Sequence, residues 1–270
     1  NQRLPSEQMD LDTHIKELAG QLDPITLDEM SGIKLMNRTD TKFVTNKAKL
    51  VELLQLAQGK YYAQEVAGQR LANYRTIYWD TPAHRFFLEH HNGRAPRQKI
   101  RVRTYLDSDL TFLEVKTKNN HGRTKKKRIT VPSQDREDVV QAGGSEFTKG
   151  LTGATFDDIQ PTVQNRFQRI TLVNHGKTER LTIDFNVGFH NFETGTDAGT
   201  GNLVIIELKR DGNVYSPILS ILRQLRIKPS GFSKYCIGSV LTNGHLKSNL
   251  FKPKMVKLTR LTGYPFRLAR

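Results

Sequence analysis

The stretch that most limits what this chain can fold into is Lys99-Ile-Arg-Val-Arg103, followed by Phe112-Leu-Glu-Val-Lys116 and the basic run Lys125-Lys-Lys-Arg128. In an extended strand successive side chains point to opposite faces, so Lys99, Arg101 and Arg103 share one face while Ile100 and Val102 share the other. A strand with one cationic and one apolar face needs two different neighbours. Between Arg94 and Arg128 there are twelve Lys or Arg residues against three acids, Asp107, Asp109 and Glu114. Their mutual repulsion costs stability unless something anionic sits among them.

The same alternation recurs along the chain. Glu114, Lys116 and Lys118 share a face, as do Lys126 and Arg128, then Arg180, Thr182 and Asp184, then Ile205, Glu207 and Lys209. Leu113 and Val115, then Leu181, Ile183 and Phe185, then Val204, Ile206 and Leu208 lie opposite. Short connections such as Asn119-Asn-His-Gly122 and Asn174-His-Gly176 suit antiparallel hairpins. A one-sided sheet with a solvated charged face explains any single strand. Five strands rich in Arg and Lys on the same face call for more, because ordinary surfaces intersperse both signs. The expected fold is therefore α+β: a closed antiparallel β-barrel of about eight strands, charged faces inward, with helices packed outside.

Two helices are expected as that cover. One is capped by Thr45 or Asn46, carries Leu50, Leu53, Leu54 and Ala57 on one face and ends at Gly59. The other opens at Ser216-Pro217, presents Ile218, Ile221, Leu222 and Leu225, and stops before Pro229. Residues 6–20 read as a weak helix, and 132–160 and 191–202 as excursions.

The net charge of +15 points to a polyanionic partner. A cationic bore of this size excludes duplex nucleic acid, and a single strand is normally held on aromatic platforms, which these polar faces lack. A linear phosphate chain has no bases to accommodate, which makes nucleic acid an unlikely partner on chemical grounds. A lone Glu among phosphates suits a ligand for Mg²⁺ or Mn²⁺. For Glu207 a salt bridge to a neighbouring cation explains the residue equally well. No apolar stretch reaches the roughly 18 residues of a membrane helix, and no signal peptide opens the chain. The single cysteine, Cys236, lies in an apolar run and excludes an internal disulfide. A cytoplasmic protein is expected. The chain opens on Asn1 rather than Met, which suits a piece of a longer protein and leaves a membrane segment elsewhere open. Gly176-Lys-Thr178 echoes a phosphate-binding loop but sits at a hairpin turn, and His84, His90 and His91 lack a ligand partner.

Eight ordered blocks carry a resemblance: Asn37-Arg-Thr-Asp-Thr-Lys-Phe-Val44, Tyr78-Trp-Asp-Thr81, Lys99-Ile-Arg-Val-Arg103, Phe112-Leu-Glu-Val-Lys116, Arg123-Thr-Lys-Lys-Lys-Arg128, Arg180-Leu-Thr-Ile-Asp184, Ile206-Glu-Leu-Lys209 and Phe232-Ser-Lys-Tyr-Cys-Ile-Gly238. The chain resembles the VTC (vacuolar transporter chaperone) catalytic domain. This is the polyphosphate polymerase branch of the CYTH or triphosphate tunnel metalloenzyme superfamily, and a bacterial member is the nearest likeness. The resemblance implies an eight-stranded tunnel spanning 34–245, preceded by a helical or loop segment 1–33 and followed by a basic tail 246–270. It implies that Lys42, Arg101, Arg103 and Lys234 act on the transferred phosphoryl group. Lys116, Lys126, Arg128, Arg169, Arg180 and Lys209 would bind further phosphates, and Glu207 the metal, Mn²⁺ or Mg²⁺. The implied activity is metal-dependent transfer of the γ-phosphate of ATP onto inorganic polyphosphate. Hydrolysis of triphosphate or polyphosphate, or binding without catalysis, stand as alternatives. The superfamily's Glu-x-Glu-x-Lys strand appears here as Arg38-Thr-Asp-Thr-Lys42, which favours the VTC branch over triphosphatases that hold metals with several glutamates.

Overall fold

The computed structural model describes residues 6–94 and 96–270; residues 1–5 of the expected N-terminal segment lie outside them. In chain order the strands are β1 (Asp23–Ile25), β2 (Arg38–Asn46), β3 (Tyr61–Gln64), β4 (Ala72–Asp80), β5 (Arg97–Tyr105), β6 (Leu110–Lys118), β7 (Thr124–Val131), β8 (Gln160–Asn174), β9 (Glu179–Asn191), β10 (Asp197–Ala198) and β11 (Leu203–Asp211). The helices are α1 (Ser6–Gln21), α2 (Leu27–Ser31), α3 (Lys47–Ala57), α4 (Arg85–His91), α5 (Arg136–Gln141), α6 (Gly144–Thr152), α7 (Pro217–Gln224), α8 (Lys234–Thr242) and α9 (Lys252–Thr262).

Eight strands form one antiparallel path in the order β2-β11-β9-β8-β4-β5-β6-β7. Its two ends, β2 and β7, are joined by no ladder among the described residues, so the sheet is a strongly curled half-barrel rather than the closed barrel expected from the sequence. The physical reason lies in the edges. Lys125 to Arg128 of β7 are exposed and uniformly basic, and an edge strand this dense in charge resists pairing with another strand.

Alternation does what the sequence requires of it. On the convex face, Phe43, Leu181, Ile183, Val204, Ile206 and Leu208 are buried against Ile15 and Leu18 of α1 and the apolar stripes of α3 and α7. Asn46 caps α3, its side chain accepting from the Lys49 amide at 2.9 Å. Pro217 opens α7 as expected, but the Ser216 hydroxyl donates instead to Glu179 Oε2 at 2.7 Å. The cover is larger than two helices. The stretch 132–160 is no bare excursion: its α5 and α6, with Phe156 edge-on to Trp79 at 4.9 Å, lie over the convex side of β4 to β7.

The concave face is not uniformly charged, which the alternation alone did not predict. Val44, Tyr78, Val163, Val187, Phe189 and Ile205 form an apolar sector filled by α8, with α4 and α9 behind it. Tyr235 of α8 stacks on Tyr78 at 5.0 Å. Gly238 is needed there, because a Cβ would sit 2.5 Å from the Phe189 ring. Asp80 accepts from the Phe86 and Phe87 amides and from the Tyr235 hydroxyl, locking α4 to α8. Basic residues 252–260 belong to α9, whose Met255 and Leu258 are buried in the same core.

Candidate anion-binding site

Cross-strand register assembles the rest of the concave face. Lys42 lies opposite Glu207, and Lys209 opposite both Asp40 and Arg180. Asp184 lies opposite Arg169 and Ile205. On the other half, Thr76 pairs with Arg103 and Tyr78 with Arg101; Lys99 pairs with Lys116, Arg101 with Glu114, Glu114 with Arg128 and Lys116 with Lys126. Residues up to 167 positions apart in the chain thus share one wall, from Lys42 on β2 to Lys209 on β11. Lys234 comes from the first turn of α8 and points into the same space.

Each carboxylate is held by the cations around it. Glu207 meets Lys209 Nζ at 3.2 Å and Lys42 Nζ at 3.9 Å. Glu114 is fully buried, 3.0 Å from Arg101 Nε and 3.3 Å from Lys126 Nζ. Asp184 takes a bidentate bond from Arg169, at 2.7 and 2.9 Å, and a short one from Lys234 at 2.5 Å. Burial would raise all three acids. The neighbouring cations override it, holding Glu114 and Glu207 at about 2 and Asp184 far below the usual carboxylate range.

The cations are under the opposite pressure. Burial, with repulsion from Arg101 and Arg169, lowers Arg103 to about 10, while its Nε donates to Thr76 Oγ1 at 3.0 Å. Burial lowers Lys99 to about 8, and Lys234 to about 7 despite Asp184; Lys126, with 42% of its side chain exposed, is lowered by partial desolvation and by Arg101 and Arg103. Lys116 is pushed well down by burial and Arg101. An anion bound here would raise these lysines again, so binding should take up protons. We expect affinity for tripolyphosphate to fall as pH rises through 7 and 8, where the free lysines deprotonate. Calorimetry in two buffers of different ionisation enthalpy reads the uptake directly.

Glu114 gives a second expectation. Glu114→Gln leaves Arg101 buried without its counter-ion and should destabilise the fold by about 3 kcal/mol. The carboxyl is depressed from 4.5 to about 2, so its contribution is complete above pH 4.5 and disappears as pH falls to about 2. Urea midpoints of the two proteins should converge over that window.

Of the residues named from the sequence, Lys42, Arg101, Arg103, Lys116, Lys126, Arg169, Lys209, Lys234 and Glu207 are brought together. Arg128 and Arg180 lie apart from that centre. Arg128 is exposed, with its guanidinium 4.1 Å over the Phe112 ring. Arg180 is half-buried, near Arg38, and its Nε is buried without a hydrogen-bond partner. Arg169 stands firmly in the wall even though Phe167 shares its face, because Asp184 holds it. Sequence reasoning gave Lys99 no role, although it has the same parity as Arg101; its Nζ donates to Ser233 Oγ at 3.1 Å beside Lys234. It also missed aromatic rings on this face. Tyr74 and Phe167 stack at 5.1 Å, and Arg103, Arg169 and Lys234 lie over the Phe167 ring.

For a divalent ion the donor set is sparse. Among the described residues no group of three or more His, Cys, Asp or Glu could hold a metal. Of the three carboxylates gripped by the wall's cations, Glu207, 19% exposed, is more open to solvent than Glu114 or Asp184. One carboxylate fits an ion whose remaining ligands are phosphate oxygens and water, as Mg²⁺ sites often are.

A strongly curled antiparallel sheet whose concave face is apolar over one sector and cationic over the other defines the class of fold to which this chain belongs. The VTC domain profile matches residues 37–243, and the chain belongs to the VTC domain family. A search of curated proteins gives no match. Among solved structures, an adenylyl-cyclase-like protein of Hippeastrum with a dominant triphosphatase activity is similar at 14% identity and TM-score 0.50, over 75% of this chain and 95% of that one. An adenylate-cyclase-like protein of Bacillus halodurans is 14% identical, with TM-score 0.46, over 73% and 96%. The Schizosaccharomyces pombe RNA triphosphatase is 6% identical, with TM-score 0.28, over 84% of each chain. The likeness to the Hippeastrum protein is one of fold.

Proposed function

We propose that this domain, taken as residues 34–245 with its flanking segments packed on it, is a metal-dependent phosphotransferase that moves the γ-phosphate of ATP onto inorganic polyphosphate. The observation that carries the reading is a wall of buried, mutually repelling cations whose carboxylates are already spent on salt bridges, so its surplus charge is available to a polyanion. Along β5 and β6 the same face also continues from Lys99 and Lys116 to Arg97 and Lys118 at one end and to Arg101 and Arg103 toward the other. Donor and acceptor chains both need such a track. The VTC family membership and the triphosphatase activity of the Hippeastrum neighbour point to the same chemistry.

Phosphoryl transfer asks the protein mainly for positioning and charge neutralisation. Arg101 and Arg103, held by Glu114 and Thr76, present their guanidinium edges to phosphoryl oxygens. Lys42 and Lys116 flank Glu207, and Lys234 neutralises charge at the transferred group. Arg169, Arg180, Lys126, Arg128 and Lys209 extend the hold along the chain. Glu207 would hold Mn²⁺ or Mg²⁺ against the phosphates, which supplies charge neutralisation at the reacting phosphoryl group. A cytoplasmic setting accords with ATP as donor.

The Hippeastrum activity motivates a second reading, hydrolysis in the same site. Incubating the protein with Mn²⁺ and ATP and resolving the products on a gel separates the two. Chelator-sensitive polymer and ADP support transfer, and free phosphate without polymer supports hydrolysis. No product with any metal or primer would contradict both.

A further inference from the structure

The concave wall changes character at one rim. Starting from Phe167 and Tyr74, both buried and overlain by Arg103 and Arg169, a line of rings continues outward. Tyr105 meets Tyr74 edge-on at 4.8 Å and Phe112 at 5.6 Å. Tyr105 and Phe112 are half-buried, and Leu106 and Leu110 beside them are 38% and 49% exposed. Strand β5 ends and β6 begins here, so these residues edge the opening rather than the interior. The Arg128 guanidinium lies 4.1 Å over Phe112 while remaining exposed. Its outer face is therefore open.

A bare phosphate chain gains nothing from an apolar rim. A nucleoside does: a base has a π-face that stacks on aromatic rings and on a planar guanidinium. We propose that Phe112, Tyr105 and Arg128 form a nucleoside subsite at this rim. The base of a nucleoside triphosphate stacks at Phe112 and Arg128, and its phosphates run inward past Arg103 toward Lys42, Lys116 and Lys234. This inference rests on the phosphate-binding reading above and adds to it the orientation of the donor. It also makes the domain discriminate a nucleoside triphosphate from inorganic tripolyphosphate of similar charge. Stacking reads the face of the base and not its edge, so purine triphosphates should bind with little distinction between them.

The test compares ATP and tripolyphosphate by calorimetry on the full chain. Phe112→Leu keeps an apolar side chain against Tyr105 but removes the ring, and it should weaken ATP about tenfold while changing tripolyphosphate less than about twofold. Phe112→Tyr restores the ring and should restore ATP binding, which a merely structural effect of the leucine on phosphate binding would not require. Equal losses for both ligands, or no loss for ATP, would overturn the subsite. Tripolyphosphate binding with no preference for ATP in the unsubstituted protein would overturn it too while leaving the phosphate reading intact. Binding of neither ligand would overturn both.

Discussion

Arg103→Ala is expected to cut tripolyphosphate affinity about a hundredfold, and Arg101→Ala with Arg103→Ala to abolish measurable binding. At 4 Å a charge pair is worth on the order of 4 kcal/mol gross at an effective dielectric of 20. A hydrogen bond to a charged group keeps about 1.5–3 kcal/mol of that net, which for two arginines spans roughly 10² to 10⁴ in affinity. The two positions differ in what they leave behind. Arg103 bonds to the Thr76 hydroxyl, so its loss strands no charge. Arg101 holds Glu114, which is fully buried, so its removal also destabilises the fold. Titration calorimetry with the single Arg103→Ala protein therefore isolates binding, and its melting temperature should stay close to that of the parent. Unchanged affinity in a folded Arg103→Ala protein would mean that phosphates do not lie against this strand.

Glu207→Gln is expected to separate binding from turnover. The carboxylate sits between Lys42 and Lys209, so its neutralisation leaves the wall more cationic and tripolyphosphate binding equal or tighter. Turnover with ATP should fall at least about a hundredfold, because metal-borne charge stabilisation is worth several kcal/mol. Turnover must fall with no fall in binding. A binding measurement with and without Mn²⁺ adds a third: the metal should strengthen tripolyphosphate binding in the parent protein more than in the variant. If Glu207 serves only as a salt-bridge partner, turnover and the Mn²⁺ effect survive the substitution.

The parts legible in the sequence were those encoded by local periodicity. Alternation along Lys99 to Arg103 and Leu203 to Arg210 gave the strands and their two faces, and the 3.6-residue spacing of Leu50, Leu53, Leu54 and Ala57 gave α3. Pairing partners were not encoded that way. Glu114 and Asp184 were visible as lone acids, but that Arg101 grips the first and Arg169 with Lys234 the second depends on strand register and on α8 entering the concave side. The same tertiary event explains the apolar half of the inner face, where Phe189 and Tyr78 meet Gly238 and Tyr235. Parity assigns a residue to a face without saying what fills the space beside it. Phe112 shares parity with Glu114 and Lys116, so the aromatic rim was available from spacing, but only the ring distances to Tyr105 and Tyr74 show a continuous surface.

Closure failed to follow from sequence for a different reason. Eight alternating strands can close, yet whether the first and last pair depends on what their edges carry, and here β7 carries the exposed basic run Lys125 to Arg128.

The central claim, that the concave wall is built around a phosphate chain, is tested most directly by the structure of a crystal grown with tripolyphosphate and Mn²⁺. Density for the chain between Arg101 and Arg103 on one side and Lys42 and Lys209 on the other, with the ion beside Glu207, is the predicted result. Phosphate bound only on the outer Lys125 and Lys127 of β7 or along α9, with the concave wall empty, would contradict it.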